Sequence, residues 1–169
     1  MLENLNLEIE NLIEEQGRDL KFKLKDTVLP SNFDCTISIS YDYLLTDTSE
    51  YSFSNPEFNK VSSEKHPNMS DAHIYFSYIK KICNSKFSKI VDDKSFFQIV
   101  NPNKNLKEIA DFIFSEPLQA EQIPQFFEIR LYTNKDKAPR IFGFIGHTNI
   151  FYILFYDPFH KIFNKTGKI

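Results

Sequence analysis

Three closely spaced apolar runs constrain this chain more than any other feature: Phe126-Phe-Glu-Ile-Arg-Leu-Tyr132, Arg140-Ile-Phe-Gly-Phe-Ile145 and Ile150-Phe-Tyr-Ile-Leu-Phe-Tyr156. Each is short, rich in aromatic and β-branched residues, and bounded by turn formers, which is the pattern of strands. Gly146-His-Thr-Asn149 reads as a hairpin connection, and Asp157-Pro158 as a structural turn closing the set. The expectation is an antiparallel meander. Within it, Phe127, Ile129 and Leu131 share one face, with Glu128, Arg130 and Tyr132 on the other. Arg140, Phe142 and Phe144 likewise share a face, opposite Ile141, Gly143 and Ile145. The third run is apolar on both faces, so it belongs inside a sheet covered on both sides. Gly143 marks a bulge or a close backbone approach.

Upstream, the pattern changes period. Leu2, Leu5, Ile9, Leu12 and Ile13 fall at helical spacing, with five Glu and no Lys or Arg over residues 2–16. This acidic helix either packs on the domain or serves as an arm for a protein partner. Residues 20–25 alternate Leu-Lys-Phe-Lys-Leu-Lys, an edge-strand signal, and 34–45 continue the β character. Residues 46–70 are polar and aperiodic, a long loop of the kind that is often functional or mobile. Ser70 caps a helix running to about Asn84, with Ala72, Tyr75, Phe76, Ile79, Ile82 and Cys83 as its apolar stripe. Phe96, Phe97, Ile99 and Val100 suggest a short strand. Asn105 and Glu108 have cap-and-N3 spacing for a second helix over 105–115. The fold class that follows is α+β, one domain, with an antiparallel sheet of about five strands packed by two or three helices.

Eighteen Phe and 41% hydrophobic residues exclude wholesale disorder. No run is long enough for a membrane span, and the N-terminus lacks a secretory layout, so a cytoplasmic location is expected. Cys35 and Cys83 form neither a disulfide framework nor a metal spacing and read as reduced thiols. Usage rich in Lys, Asn, Ile and Phe, with only three Arg, points to an AT-rich genome. The net charge of −3 is uneven: residues 125–169 carry seven Lys/Arg against three Asp/Glu. Such asymmetry marks a nucleic-acid face in some proteins and nothing in others. Gly-rich phosphate loops, G-x-S-x-G, H-E-x-x-H and C-x-x-C are all absent, which disfavours the common nucleotide-dependent and zinc enzymes and implies neither cofactor nor metal.

The residues left to carry chemistry are few. Arg130 and Arg140 sit among apolar strands and, if their strands pair, present two guanidinium groups for phosphate; the plain alternative is pairing with a carboxylate such as Glu128. Asp157 and His160 lie three apart, either a local turn or a carboxylate orienting an imidazole for acid/base work. His147 at a hairpin tip, His66 in a loop and His73 on a first helical turn are expected to be solvent-exposed.

The order of two helices followed by a meander over roughly 71–163, with Arg130 and Arg140 on its strands and His160 near its end, resembles the RelE/ParE-type toxin fold. That resemblance implies a metal-independent ribonuclease: Arg130 and Arg140 would bind RNA phosphate, His160 would move the proton and Tyr156 would assist. The biological context would be prokaryotic defence, a mobile element or a toxin–antitoxin pair. This reading requires Arg130, Arg140 and His160 to meet within hydrogen-bond reach at an open cleft. The alternative is a non-enzymatic assembly subunit or inhibitor, holding a protein partner through the acidic helix 2–16 and the 46–70 loop.

Overall fold

The computed structural model describes residues 35–61, 63–146 and 149–163. The expected helix over 2–16, the alternating strand over 20–25 and His147 lie outside the described residues. The elements run β1 (Ser38–Ser40), a 3-10 turn (Pro56–Asn59), α1 (Asp71–Cys83), α2 (Phe87–Asp92), β2 (Phe97–Val100), α3 (Lys104–Ile113), β3 (Phe126–Arg130), β4 (Arg140–Ile145) and β5 (Ile150–Asp157). The architecture is α+β, a five-stranded sheet with three helices.

Strand order is β1-β5-β4-β3-β2. The β3-β4-β5 meander is antiparallel as its sequence requires, and β2 joins it antiparallel to β3. The sheet is mixed rather than purely antiparallel, because β1 runs parallel to β5, Ser38 opposite Ile150 and Ser40 opposite Tyr152. The physical reason is connectivity. More than a hundred residues separate the two strands, so no hairpin dictates their direction. Beyond β1 the chain keeps following the same edge of β5, with Leu45 N–H donating to Leu154 O (2.7 Å) and Tyr156 N–H donating to Tyr51 O (2.9 Å).

Both faces of the sheet are covered. One face packs Phe127, Ile129, Ile141, Ile153 and Tyr156 against Ile74, Tyr75 and Ile82 of α1 and Phe87 and Ile90 of α2. The other packs Phe126, Phe142, Phe144, Leu154 and Phe155 against Leu106 and Ala110 of α3. All of β4 is buried, as is β5 beyond Ile150. A register shift between Phe142 and Gly143 inserts one extra residue into β5. Leu154 and Phe155 therefore both reach the same core, and the alternation resumes in phase on either side.

Gly143 sits opposite this bulge, and only hydrogen fits there. A Cβ would lie 2.3 Å from the Tyr152 carbonyl oxygen and 2.7 Å from the Phe151 ring.

Helix ends follow the sequence with local revisions. Ser70 caps α1 by accepting from His73 N–H. The buried positions of α1 are Asp71, Ile74, Tyr75 and Ile82, whereas Phe76 and Cys83 of the expected stripe are exposed. α3 is capped by Asn103, not Asn105. The Asn103 side chain accepts from Leu106 N–H (2.9 Å) and donates to Ile162 O (2.6 Å), tying the helix to the chain after β5. α2 carries no cap hydrogen bond from its N-cap side chain, which explains why no start signal was visible in the sequence. The polar 46–70 segment is not a free loop: Ser52, Phe58 and Ser63 are buried, and Phe53 and Phe58 stack against Tyr75 and Tyr156.

Gly143→Ala is expected to destabilise the fold by about 3 kcal/mol, since the obstructing atom is backbone and must move. Gly146→Ala meets only the edge of the Tyr152 ring, at 2.9 Å, and should cost less. Urea denaturation of the two variants side by side measures the difference.

Candidate functional site

A double-covered sheet leaves charged side chains nowhere to go but its ends, and there they gather. β3 finishes and β4 begins at the same end, so Arg130 and Arg140 are directly cross-strand, with Asp157 opposite Arg140 in turn. The carboxylate of Glu128 is buried between them. Arg130 Nε donates to Glu128 Oε1 at 2.6 Å, and Arg140 Nε lies 4.0 Å from the same oxygen. The two arginines are brought together, then, but as unequal partners. The Arg130 side chain is one-third exposed (33%). Arg140 is 5% exposed and braces the β3–β4 connection, donating from Nη1 to Tyr132 O (2.9 Å) and Pro139 O (3.0 Å) and from Nη2 to Thr133 Oγ1 (3.1 Å). Its Nε–H is buried without a hydrogen-bond acceptor. Burial pulls the Arg140 guanidinium below its ordinary pKa, Glu128 opposes that, and Arg130 adds to it.

Beside this pair lies a cleft of about 270 Å³, lined by Lys65, His66, Tyr78, Ser95, Arg130, Thr133 and Arg140 together with Leu131 and Tyr132. Among the described residues no carboxylate lines it, and its charged side chains are Lys65, Arg130 and Arg140. Lys65 and His66 come from the segment expected to be a loop, and Tyr78 from α1, whose hydroxyl donates to Leu131 O (3.3 Å). The expected alternation lapses at Tyr132. Once β3 ends at Arg130, Leu131 and Tyr132 both turn to the α1 side of the sheet.

The remaining expected site residues do not join the cleft. Tyr156 lies on the α1 face, fully buried, and its hydroxyl donates to Asp71 Oδ2. Burial and the Asp71 carboxylate raise its pKa far above the ordinary phenol. Asp157 gives its oxygens to backbone, accepting from Phe159 N–H (3.2 Å) and Ile162 N–H (2.9 Å), and Pro158 follows it in the turn. It shapes the turn and does not orient His160. His160 adopts a left-handed backbone (φ 56°) and its ring lies against Phe163. Burial lowers its pKa, and Arg140 lowers it further. Arg130, Arg140 and His160 share an electrostatic neighbourhood, but His160 does not line the cleft.

A second cluster was not foreseen. Asp71, fully buried on the first turn of α1, accepts from Tyr132 Oη (2.7 Å) and from Tyr156, and pairs with Lys137 Nζ at 3.0 Å. Lys137 Nζ also meets Glu57 Oε2 (3.0 Å) and Glu57 O (3.2 Å). Burial alone would raise the Glu57 carboxyl, but hydrogen bonds from Lys60 and Lys137 bring it below the ordinary value. Neither Asp71 nor Lys137 was among the residues singled out from the sequence. Nothing in either neighbourhood signals burial. Every group in the cluster is occupied by another, so it holds α1, the 3-10 turn and the β3–β4 connection together and offers no free acid or base.

A third feature is an apolar groove of about 340 Å³ between Leu45, Tyr51, Ile109 and Phe112, with Asp47 and Glu108 at its margin. Among the described residues, no three His, Cys, Asp or Glu side chains gather in a way that would hold a metal ion, and no helix is long and apolar enough to cross a membrane. No known protein family, no curated protein and no solved structure matches this chain.

Two outcomes follow. Lys137→Met leaves Asp71 buried beside two phenols without its cation, and should cost about 3–5 kcal/mol in chemical denaturation. Adding Asp71→Asn should recover part of that loss. His160, with its folded pKa below 6.5, binds fewer protons in the folded than in the unfolded state as pH falls through that value. Stability should therefore be full above pH 6.5 and decline as pH falls from there towards the folded pKa. His160→Gln should flatten that part of a stability–pH curve, and an NMR titration of wild type should place the His160 midpoint below 6.5.

Proposed function

We propose that this protein binds RNA through its phosphate groups at the Arg130 cleft, and does so without cleaving it. The observation that carries this reading is a cleft whose charged side chains, Lys65, Arg130 and Arg140, are all cationic, on a chain that is net acidic. Phosphate is the group such a site attracts: the partly exposed Arg130 guanidinium gives planar, charge-assisted donors, and Thr133 adds a hydroxyl. His66 and Tyr78, both half-buried, supply ring faces on which an unstacked base can rest, as single-stranded RNA recognition requires. Double-stranded DNA is a poorer match, because among the described residues no helix or ribbon projects from the cleft to enter a groove.

Cleavage is left out of the reading for geometric reasons. Attack by a ribose 2′-OH needs a base and an acid at the scissile phosphate. The Tyr156 hydroxyl is buried on Asp71 and His160 stands outside the cleft, so the acid/base pair expected from the sequence is not assembled there; among the described residues His66 is the one imidazole in the lining. The working site is then a binding module, in keeping with a prokaryotic defence or toxin–antitoxin setting. Free Cys35 and Cys83 fit a reducing, cytoplasmic compartment.

Fluorescence anisotropy with a labelled single-stranded RNA tests this. Wild type should bind with an affinity that falls steeply with salt. Arg130→Gln should weaken binding by about tenfold and reduce the salt slope by about one. His160→Ala should bind as wild type, and RNA incubated with either protein should stay intact on a gel. Loss of binding in His160→Ala, or cleavage by wild type alone, would return His160 to a catalytic role.

A further inference from the structure

Resting on the RNA-binding reading, we infer that the strand leaving the Arg130 cleft runs over the outer face of α1, with one base stacked on Phe76 and a phosphate held by Lys80.

A cleft of about 270 Å³ is smaller than the pockets that enclose a drug-sized ligand, so only a short piece of a strand fits inside it. The rest must cross one of the walls, and the walls differ in charge. The segment that supplies Lys65 and His66 also carries Glu64, exposed beside them. The β3–β4 connection that supplies Thr133 carries an exposed Asp136 next to Lys135. The wall at Ser95 holds Asp93, whose carboxylate accepts from the Ser95 hydroxyl. Each of these offers a polyanion a like charge. α1, which supplies Tyr78, is the exception. Its one acid, Asp71, is buried. Residues 72–91 hold four lysines and no Asp or Glu, in a chain whose acids outnumber its bases by 23 to 20. All four, Lys80, Lys81, Lys86 and Lys89, are exposed.

Helical spacing lays out the path. Lys81 stands one turn on from Tyr78 at the edge of the cleft, where its Nζ pairs with Asp93 at 2.8 Å and lies over the Phe96 ring. Part of its charge is therefore already matched. Turning away from the cleft, the next exposed positions round the helix are Ser77, then His73 and Lys80, then Phe76.

Phe76 is 57% exposed. A lone exposed aromatic is ordinary on a protein surface. This one has Lys80 four residues after it on the same face, and the buried Tyr75 ring packs against it at 5.0 Å between centroids. An open, braced ring beside an ammonium is what sequence-tolerant binding of a single strand uses: the ring carries a base and the cation meets the neighbouring phosphate.

The test uses the full chain and labelled single-stranded RNA of about three and about twelve nucleotides, below and within the usual range of single-strand site sizes. Binding is read by fluorescence anisotropy, and each variant is first checked for an unchanged melting temperature. Phe76→Ala should weaken binding of the long RNA by about tenfold. Lys80→Gln should lower its salt slope by about 0.7. Neither should alter binding of the short RNA, whereas Arg130→Gln should weaken both. Phe76→Trp should bind the long RNA as wild type does, and Phe76→Leu should not, because a base stacks on a π-face and not on an alkyl chain. Wild-type affinity for the long RNA in both Phe76→Ala and Lys80→Gln, with Arg130→Gln weakened, overturns the inference and leaves the RNA-binding reading standing. Full affinity in Phe76→Leu overturns the stacked base. No binding of either RNA overturns both readings. Phosphatidylserine vesicles that retain wild type but not Phe76→Ala, while the long RNA binds that variant normally, overturn the inference and assign this face to an anionic membrane.

Discussion

A sheet covered on both faces has no solvent side, and the rest of this structure answers to that constraint. Charges that enter its margins must bring their own partners, because an unpaired ion in such surroundings costs several kcal/mol. Of the three carboxylates buried among the described residues, Asp157 is satisfied by backbone N–H groups, and the other two, one on each face, are each met by cations. Asp71, on the α1 face, holds Lys137 and two phenols. Glu128, on the α3 face, holds Arg130 and faces Arg140. The two arrangements lie on either side of the same β3–β4 connection, so that connection is fixed from both sides. The cleft is built on this rigid stretch, with its charged and hydroxyl groups already in place before any ligand arrives.

The two clusters differ in one respect that separates structure from recognition. Around Asp71 each donor has an acceptor and each charge a counter-charge. Around Glu128 there are two guanidinium groups for one carboxylate, one of them partly exposed and the other with an orphan N–H. The partly exposed guanidinium, that of Arg130, lines the cleft.

Much of the fold was legible in the sequence. Alternation and aromatic density placed β3, β4 and β5 to within a residue or so, the Gly143 bulge followed from a lone glycine between phenylalanines, and Ser70 announced α1. The capping residue of α3 was misplaced by two positions, because Asn103 and Asn105 carry the same side chain and only the contact with Ile162 separates them. The parallel direction of β1 and the packing of residues 46–70 were not legible, since both depend on contacts across most of the chain. The same holds for the site. Arg130 and Arg140 stood out as rare residues in apolar strands and do meet. Lys65, His66 and Tyr78 join them only through folding, and Tyr156, brought in only by the likeness to the RelE/ParE-type fold, is buried on the α1 face against Asp71. Periodicity reveals which face a strand residue takes; it does not reveal which loop closes over the strand's end.

The pairing of β1 with β5 has a bearing on how the molecule comes into being. Ser38 waits for Ile150, and the backbone around Leu45 and Tyr51 waits for Leu154 and Tyr156. On a ribosome, this early segment is made long before its partner emerges. Contacts of such sequence separation close late and slowly. Until β5 is released, Ile37, Leu45, Phe53 and Phe58 have no sheet to bury against, and the nascent chain carries them as exposed apolar surface. An interval in synthesis with this surface uncovered is thus written into the topology, and its length is set by the translation time between those two strands.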